Sequence, residues 1–244
     1  MMEQYELLCE YLTKFTEKTK EYLPQVKKDA IYNSIIIENR VVINFEQILK
    51  NHIYFLNKNN KDVKWGLQIF HSEGNENYIK NIVKDWDNVL LTKLDIEDIN
   101  KETHTELLKS IEFWELVEGE IILNFQIDSL LLRDNIEEFL DYDFIGAPWS
   151  KPKEGKFVGN GGLSIRNKLK TIEYLKKYEN EKGVWEDIFF VKHLDDHQLP
   201  DILTAMKFSV EDIFYPHPVG IHRPVKIPIP LLKLILDNSL TSID

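Results

Sequence analysis

The feature that most constrains the fold is an alternation of two hydrophobic patterns along the first half of the chain. Short apolar, β-branched runs predict buried strands, and segments with apolar residues at helical spacing separate them. The strand segments are SIIIE (34–38), VKWGLQIF (63–70), NVLLTKL (88–94) and EIILNFQI (120–127), and the helical segments are 45–56, 76–86 and 101–117. This rhythm predicts right-handed crossover units, and therefore an α/β fold with a mostly parallel central sheet and helices on both faces.

Length and composition predict one folded domain. The 244 residues are 43% hydrophobic and 11% aromatic, which is enough apolar area for a substantial core. No repeat or Pro/Gly/Ser-rich linker marks a boundary. We therefore expect an N-terminal helical segment packed on the domain at 1–30, the domain itself at 31–224, and a C-terminal tail or helix at 225–244.

The charge and the cysteine content exclude several classes of partner. A net charge of -11 argues against a nucleic acid or an anionic membrane surface, so a phosphate ligand would need a metal or a local basic pocket. Cys9 is the single cysteine and forms no internal disulfide. The early acidic residues do not fit a signal peptide, and no apolar run reaches the roughly 18 residues of a membrane span. We expect a soluble, cytoplasmic protein.

Polar side chains follow several of the predicted strands. Glu38 and Arg40 follow the first strand, His71 follows the second, and Asp128 follows the fourth. Ligands of open parallel sheets bind where the carboxyl ends of the strands meet. These residues are therefore the first candidates for a functional site.

The segment FQIDS contains a candidate cation ligand. Gln126 and Asp128 are two positions apart, so their side chains leave a strand end on the same face. A carboxylate with the Ser129 hydroxyl beside it suits a divalent cation that bridges to a substrate diphosphate. Alternatively, Asp128 simply caps the following turn.

The segment VGNGGLSIR concentrates glycines at the start of a further predicted strand. Gly159, Gly161 and Gly162 allow unusual backbone angles or a close approach to a ligand. An ordinary tight turn or bulge would use them equally well. Neither a dinucleotide-binding nor a P-loop signature is present.

Two later segments contain candidate catalytic groups. Glu186 and Asp187 in WEDIFF open a predicted helix, where they either complement the helix dipole or provide a general base. His217 and His222 lie in the Pro-rich segment YPHPVGIHRP. Either one is a surface histidine or completes a metal site begun by Asp128.

The order of these elements resembles that of GT-A fold glycosyltransferases. The resemblance is closer to an uncharacterised, domain-of-unknown-function family regarded as glycosyltransferase-like, and it covers roughly 31–224. Its most distinctive parts are YDFIGAPW and VGNGGLSIR; the others are IIIENR, WGLQIFH, FW, NFQIDS, WEDIFF, FSVED and VGIH. The implied fold is a GT-A-like, Rossmann-like single domain.

The resemblance also implies roles for individual residues. Asp128 takes the last acidic position of the D-x-D motif that binds Mn²⁺ or Mg²⁺, and Gln126 stands where the first Asp would be. His222, preferred to His217, joins the metal and the diphosphate. Asp187 is the base that deprotonates the acceptor hydroxyl and is expected to stay ionised, while Glu186 orients it or the acceptor.

By the same resemblance, Gly161 and Gly162 let the donor sugar and the acceptor lie against the backbone. Glu38 and Arg40 contact the nucleoside, and Ser129 belongs with Gln126 and Asp128 to the donor site. The implied activity is transfer of a sugar from a nucleoside diphosphate donor, a UDP-sugar, to an acceptor hydroxyl with inversion. Two alternatives stay open: a non-catalytic carbohydrate or nucleotide binder, and a metal-dependent nucleotidyltransferase or phosphohydrolase.

Overall fold

The computed structural model describes residues 2–58, 63–96, 98–178, 180–195 and 198–243. The strands are β1 (Tyr32–Ile37), β2 (Trp65–His71), β3 (Leu90–Lys93), β4 (Ile121–Phe125), β5 (Ser129–Leu131), β6 (Phe144–Gly146), β7 (Pro148–Lys153), β8 (Lys156–Val158), β9 (Leu163–Asn167), β10 (Ser209–Val210) and β11 (Gly220–His222). The helices are α1 (Met2–Lys18), α2 (Phe45–Asn57), α3 (Glu76–Ile82), α4 (Lys101–Leu108), α5 (Ile111–Leu116), α6 (Lys168–Lys177), α7 (Glu186–His193), α8 (Ile202–Phe208) and α9 (Ile229–Thr241). Short 3₁₀ helices cover Glu73–Asn75 and Ile136–Phe139.

A six-stranded sheet in the order β3-β2-β1-β4-β9-β6 forms the centre of the molecule. The first four strands in this order are parallel, and β9 runs antiparallel to both β4 and β6. The mostly parallel sheet expected from the sequence is therefore confirmed. Because β9 is antiparallel, its first residue lies beside the last residue of β4, which brings the glycine segment to the carboxyl end of the sheet.

Helices cover both faces of the sheet, as expected. Ile36 packs into one hydrophobic cluster, whereas its neighbours Ile35 and Ile37 pack into another. Such alternation along one apolar strand is typical of a strand buried on both sides. The first cluster includes side chains of α1, α2 and α9, and the second includes side chains of α4 and α5.

Helices α1 and α9 pack together on the first face of the sheet. Tyr11 and Phe15 of α1 are buried against this core. The Tyr11 hydroxyl lies 2.9 Å from Ser239 Oγ of α9, which in turn donates to the carbonyl oxygen of Leu132 at 2.9 Å. The two helices are therefore joined by a buried polar contact as well as by apolar packing.

The segment 101–117 differs from its sequence pattern, which predicts a single helix. The structure has two helices, because the Ser110 side chain accepts a hydrogen bond from the Phe113 backbone N–H and so starts α5 anew. Just before this break, the Lys109 ammonium is buried and donates to the carbonyl oxygens of Glu181 and Val184 at 2.9 and 3.0 Å. The break turns Phe113 into the core.

A second, three-stranded sheet in the order β10-β11-β5 lies beside the carboxyl end of β4. Its middle strand β11 is parallel to β10 and antiparallel to β5, with His222 opposite Ser129. The sheet therefore carries His222 to the turn that follows β4. Within the described residues, no helix has both the length and the apolar character needed to cross a membrane.

Candidate active site

The turn after β4, the glycine segment and the end of β11 meet at one edge of the central sheet. Gln126 donates its backbone N–H to the carbonyl oxygen of Gly162 at 3.0 Å, and Arg223 donates to the carbonyl oxygen of Asp128 at 2.9 Å. These backbone bonds tie the predicted metal-binding segment to both neighbouring segments. The arrangement follows from the pairing of β4 with β9 and of β5 with β11.

Asp128 and His222 are in contact. His222 Nε2 lies 3.3 Å from Asp128 Oδ1 and 3.3 Å from Gln126 Oε1. The His222 side chain is 7% exposed, whereas that of Asp128 is 43% exposed. The imidazole is therefore held inside the protein while the carboxylate faces outward.

The electrostatics of this pair favour opposite charges. Burial alone would lower the pKa of His222, but Asp128 on one side of the ring and Glu211 on the other raise it to about 9. Burial acts to raise the pKa of Asp128, yet the His222 ring outweighs it and holds that pKa below its usual value. Without a further ligand, the pair is an imidazolium next to a carboxylate.

The donor atoms fit a divalent cation that shares its coordination with a substrate. Three donor atoms lie together: the imidazole nitrogen His222 Nε2, with the carboxylate oxygen Asp128 Oδ1 and the amide oxygen Gln126 Oε1 each 3.3 Å from it. Among the described residues, no three His, Cys, Asp or Glu side chains converge on one point. Two or three protein donors suit Mg²⁺ or Mn²⁺ that takes its remaining ligands from a diphosphate and water.

The glycines give space to two side chains of the site. A Cβ atom at Gly162 would collide with the imidazole of His222, and one at Gly161 would collide with the carboxylate of Glu186. The side-chain space at both positions is therefore filled by the protein, which corrects the expectation that it is left open for a sugar. Contact of a ligand with the backbone itself stays a prediction.

Glu186 forms a buried ion pair that the sequence analysis missed. Its Oε1 accepts a hydrogen bond from Arg166 Nη2 at 2.7 Å, and the Arg166 side chain is 0% exposed. The guanidinium carbon lies 4.8 and 5.4 Å from the ring centroids of Phe144 and Phe190. Burial acts to raise the pKa of Glu186, but the Arg166 charge outweighs it and lowers the pKa. A single Arg within the apolar strand GLSIR was the signal that a buried carboxylate must face it.

Asp187 is half-buried at the start of α7, next to this ion pair. Burial and the charge of Glu186 raise its pKa to about 7, and Lys153 of β7 only partly offsets them. Its Oδ1 accepts the backbone N–H of Ile188 at 2.8 Å. The expectation of a fully ionised carboxylate at the helix N-terminus is therefore wrong, because burial and a like charge outweigh the helix dipole.

Glu38 and Arg40 form a rigid unit after β1. The buried Glu38 carboxylate accepts the Arg40 backbone N–H at 2.9 Å and its Nε and Nη2 atoms at 2.8 Å each. The Arg40 side chain is 63% exposed. The pKa of Arg40 is raised, chiefly by the hydrogen bond to Glu38 and further by the charge of Asp128. Arg40 therefore presents a positive charge on the Asp128 side of the sheet edge.

Three other candidates lie outside this cluster of accessible groups. Ser129 was expected in the donor site. Instead it is fully buried and donates to the Gln126 carbonyl oxygen at 2.6 Å, so its hydroxyl holds the turn. His217 is exposed and lines a separate cavity of about 230 Å³ with Arg133. His71 is the last residue of β2, and its Nδ1 lies 3.0 Å from the Ser72 carbonyl oxygen.

A family model described as "Protein of unknown function (DUF5672)" matches residues 90–222 of the sequence. The match extends from β3 to the end of β11 and so contains Asp128, Glu186, Asp187 and His222. It covers more than half of the chain. The protein belongs to this family. No curated protein matches its sequence.

Solved structures similar to this DUF5672 protein show its fold. Galactosyltransferase LgtC in complex with donor and acceptor sugar analogues has a TM-score of 0.50 and 13% identity, covering 86% of this chain and 96% of that one. Inositol-1-phosphate CTP transferase from T. maritima has a TM-score of 0.51 and 11% identity, covering 89% and 100%. Mannosyltransferase PcManGT from Pyrobaculum calidifontis is similar at a TM-score of 0.45 and 15% identity, covering 76% and 58%. The DUF5672 protein thus has the expected GT-A-like fold.

His104 is a further residue of the DUF5672 protein that the sequence analysis did not single out. It lies half-buried on α4, whose first residue Lys101 places its ammonium 3.8 Å from the ring centroid of Trp185, directly before α7. Burial lowers the pKa of His104, and the charges of Glu186 and Asp128 act on it in the opposite direction. His104 is therefore a neutral imidazole close enough to Glu186 and Asp128 to feel both charges.

Proposed function

We propose that the protein is a glycosyltransferase that moves a sugar from a nucleoside diphosphate donor, a UDP-sugar, to an acceptor hydroxyl. The observation that carries this proposal is the placement of two chemically different centres on adjacent glycines. The His222 ring, which contacts Asp128, packs at Gly162, and the carboxylate of Glu186, the residue before Asp187 at the start of α7, packs at Gly161. Sugar transfer needs one centre for the leaving diphosphate and another for the incoming hydroxyl.

The first centre suits a diphosphate leaving group. Mn²⁺ or Mg²⁺ bound there would neutralise the charge that develops on the departing oxygens. Asp128 and His222 are the residues that would hold it, with Gln126 Oε1 as a third donor. The positively charged Arg40 side chain adds attraction for the donor on the same side. Its rigid attachment to Glu38 supports the expected contact of this pair with the nucleoside.

The second centre suits deprotonation of an alcohol. A carboxyl group whose pKa is about 7 is basic enough to accept a proton in the transition state and is still substantially ionised at neutral pH. Glu186 cannot share this task, because the buried ion pair with Arg166 fixes its carboxylate. Glu186 instead keeps the pKa of Asp187 high through its negative charge.

A base without a second free carboxylate beside it supports inversion at the anomeric carbon. In this arrangement Asp187 removes the proton from the acceptor as the acceptor oxygen attacks opposite the leaving diphosphate. The base strengthens the incoming nucleophile while the sugar becomes cation-like. The half-buried, neutral imidazole of His104 would add a hydrogen-bonding group for a sugar hydroxyl.

A non-catalytic carbohydrate or nucleotide binder is the second candidate. Gln126 favours the binder, because an amide stands at the first acidic position of the D-x-D motif and so removes one carboxylate ligand for a metal. The fold itself does not decide the function, since the similar structures include a galactosyltransferase and a CTP transferase.

The test is a thermal-shift panel of nucleotide sugars and nucleoside triphosphates, each with and without Mn²⁺, followed by turnover assays. A ligand at about 100 times its dissociation constant should add about 2.7 kcal/mol to the free energy of unfolding. Sugar release or transfer that disappears in Asp187→Asn supports the proposal. Binding without turnover in the unmodified protein supports the binder, and turnover of a nucleoside triphosphate with a sugar phosphate would replace the proposal by nucleotidyl transfer.

A further inference from the structure

Glu211 lies on the opposite side of the His222 ring from Asp128. Strands β10 and β11 are parallel neighbours with Val210 opposite Ile221, so Glu211, which directly follows β10, comes beside His222, the last residue of β11. Glu211 Oε1 is 3.8 Å from His222 Nδ1, and the Glu211 side chain is 14% exposed. The small sheet thus places two carboxylates at the two ring nitrogens of one histidine.

Each of these two side chains has one unpaired buried polar atom. His222 Nδ1 and the second carboxylate oxygen of Glu211, Oε2, are buried and have no hydrogen-bond partner among the described residues. The 3.8 Å separation of Nδ1 and Oε1 exceeds hydrogen-bonding distance by less than 1 Å. Because buried polar groups are paired in folded proteins, a small rotation of the ring that closes this gap is favourable.

We propose that Glu211 is a positioning residue for His222, an inference that rests on the proposed function. When Nε2 binds a divalent cation beside Asp128, the Nδ1–H of His222 donates to Glu211. A neutral imidazole has one protonated and one unprotonated nitrogen, so fixing the proton on Nδ1 directs the Nε2 lone pair to the ligand. The proton that Nε2 carries in the free protein leaves to solvent.

The same hydrogen bond holds the plane of the ring and makes Nε2 a stronger donor. Carboxylates behind metal-binding histidines act in this way, and their loss typically weakens metal affinity 10- to 100-fold. The neighbouring Asp212 faces elsewhere: its Oδ2 accepts from Ser150 Oγ at 2.8 Å and from Lys226 Nζ at 2.6 Å. Asp212 is therefore a matched control, an acidic residue one position away that does not touch His222.

The experiment compares the unmodified protein with Glu211→Ala, Glu211→Gln and Asp212→Asn. Calorimetry measures the affinity for UDP alone, Mn²⁺ alone and Mn²⁺ in the presence of UDP, and thermal unfolding checks that each variant is folded. We expect Glu211→Ala to bind Mn²⁺ with UDP 10- to 100-fold more weakly. Glu211→Gln, which keeps an acceptor oxygen, should recover much of this loss. Asp212→Asn should match the unmodified protein, and UDP alone should bind all four equally.

Nitrogen NMR of the unmodified protein gives a second readout that needs no variant. With Mg²⁺ and UDP bound, the His222 signals should show a protonated Nδ1 and an unprotonated Nε2. A protonated Nε2, or equal Mn²⁺ affinity in Glu211→Ala and the unmodified protein, would overturn the positioning role while leaving the proposed function standing. UDP binding without any Mn²⁺ binding would overturn the positioning role as well. Absence of both UDP and Mn²⁺ binding would instead overturn the proposed function.

Discussion

Replacing Asp187 by Asn tests the environment of the proposed base. The pKa of Asp187 rises from 3.8 to about 7 in the folded protein. Each tenfold change in proton affinity corresponds to about 1.4 kcal/mol, so the negative charge at Asp187 destabilises the folded state by about 4 kcal/mol. This is an upper value, because water screens the part of the side chain that is exposed.

The sign of the effect fixes the pH window. The folded protein keeps a proton on Asp187 that the unfolded chain releases, so the contribution of Asp187 to the stability of the unmodified protein falls as the pH rises from 3.8 to about 7 and is constant above that range. The amide of the Asp187→Asn variant has no such proton to release. The free energy of unfolding of the variant minus that of the unmodified protein should therefore grow by about 3 kcal/mol from about pH 5 to about pH 8. The amide also keeps an oxygen that can accept the Ile188 N–H.

Urea denaturation of both proteins at the two pH values measures this difference, and sugar transfer measures the accompanying loss of activity. We expect transfer to fall at least about 100-fold, as removal of a general base does. Asp201→Asn is the control, because Asp201 caps α8 through the Thr204 N–H and Asn caps a helix equally well. A stability difference that stays the same at both pH values would refute the raised pKa of Asp187.

Three further substitutions test the packing around the site. Gly162→Ala should displace the His222 ring and weaken nucleotide-sugar binding in calorimetry. Gly74→Ala is the control and should not weaken binding, because its Cβ would meet only Ser72 Oγ at 3.7 Å. Equal binding by the two variants would contradict the packing argument. Arg166→Met leaves the Glu186 carboxylate buried and unpaired, so chemical denaturation should show a loss of about 3–5 kcal/mol, and adding Glu186→Gln should restore part of it. Ser110→Ala removes the cap of α5 and should cost about 1 kcal/mol in the same assay without changing binding; an unchanged stability would argue against the cap.

The positions of the strands and most helices of the central layer can be predicted from the sequence, because their apolar residues are the ones that become buried. The isoleucines of β1 are buried on both faces, and an uninterrupted apolar run of this kind predicts that environment. The hairpin formed by β7 and β8 has no such pattern. After two buried residues, Lys151 and Lys153 of β7 alternate with Ser and Pro in its more exposed part, so the segment resembles a loop in sequence.

The candidate site was predictable residue by residue but not as a set of partners. Asp128 at a strand end and Asp187 at a helix start are local signals. The partners of these groups come from distant segments: Arg166 of β9 meets Glu186 of α7 across 20 positions of the chain, and His222 meets Asp128 through the antiparallel pairing of β5 and β11. The pKa of Asp187 depends on that tertiary burial, which local helix electrostatics do not include.

The buried contact between Tyr11 of α1 and Ser239 of α9 joins two residues that are 228 positions apart in the chain. During synthesis from the N-terminus, the apolar side of α1 emerges long before its partner α9 exists. Closing so large a loop comes late in folding, because its entropy cost precedes the contacts that repay it. The nascent protein therefore lacks the α9 side of this packing, including the Ser239 partner of Tyr11, until translation reaches α9, and this interval is when it is most prone to aggregate or to need a chaperone.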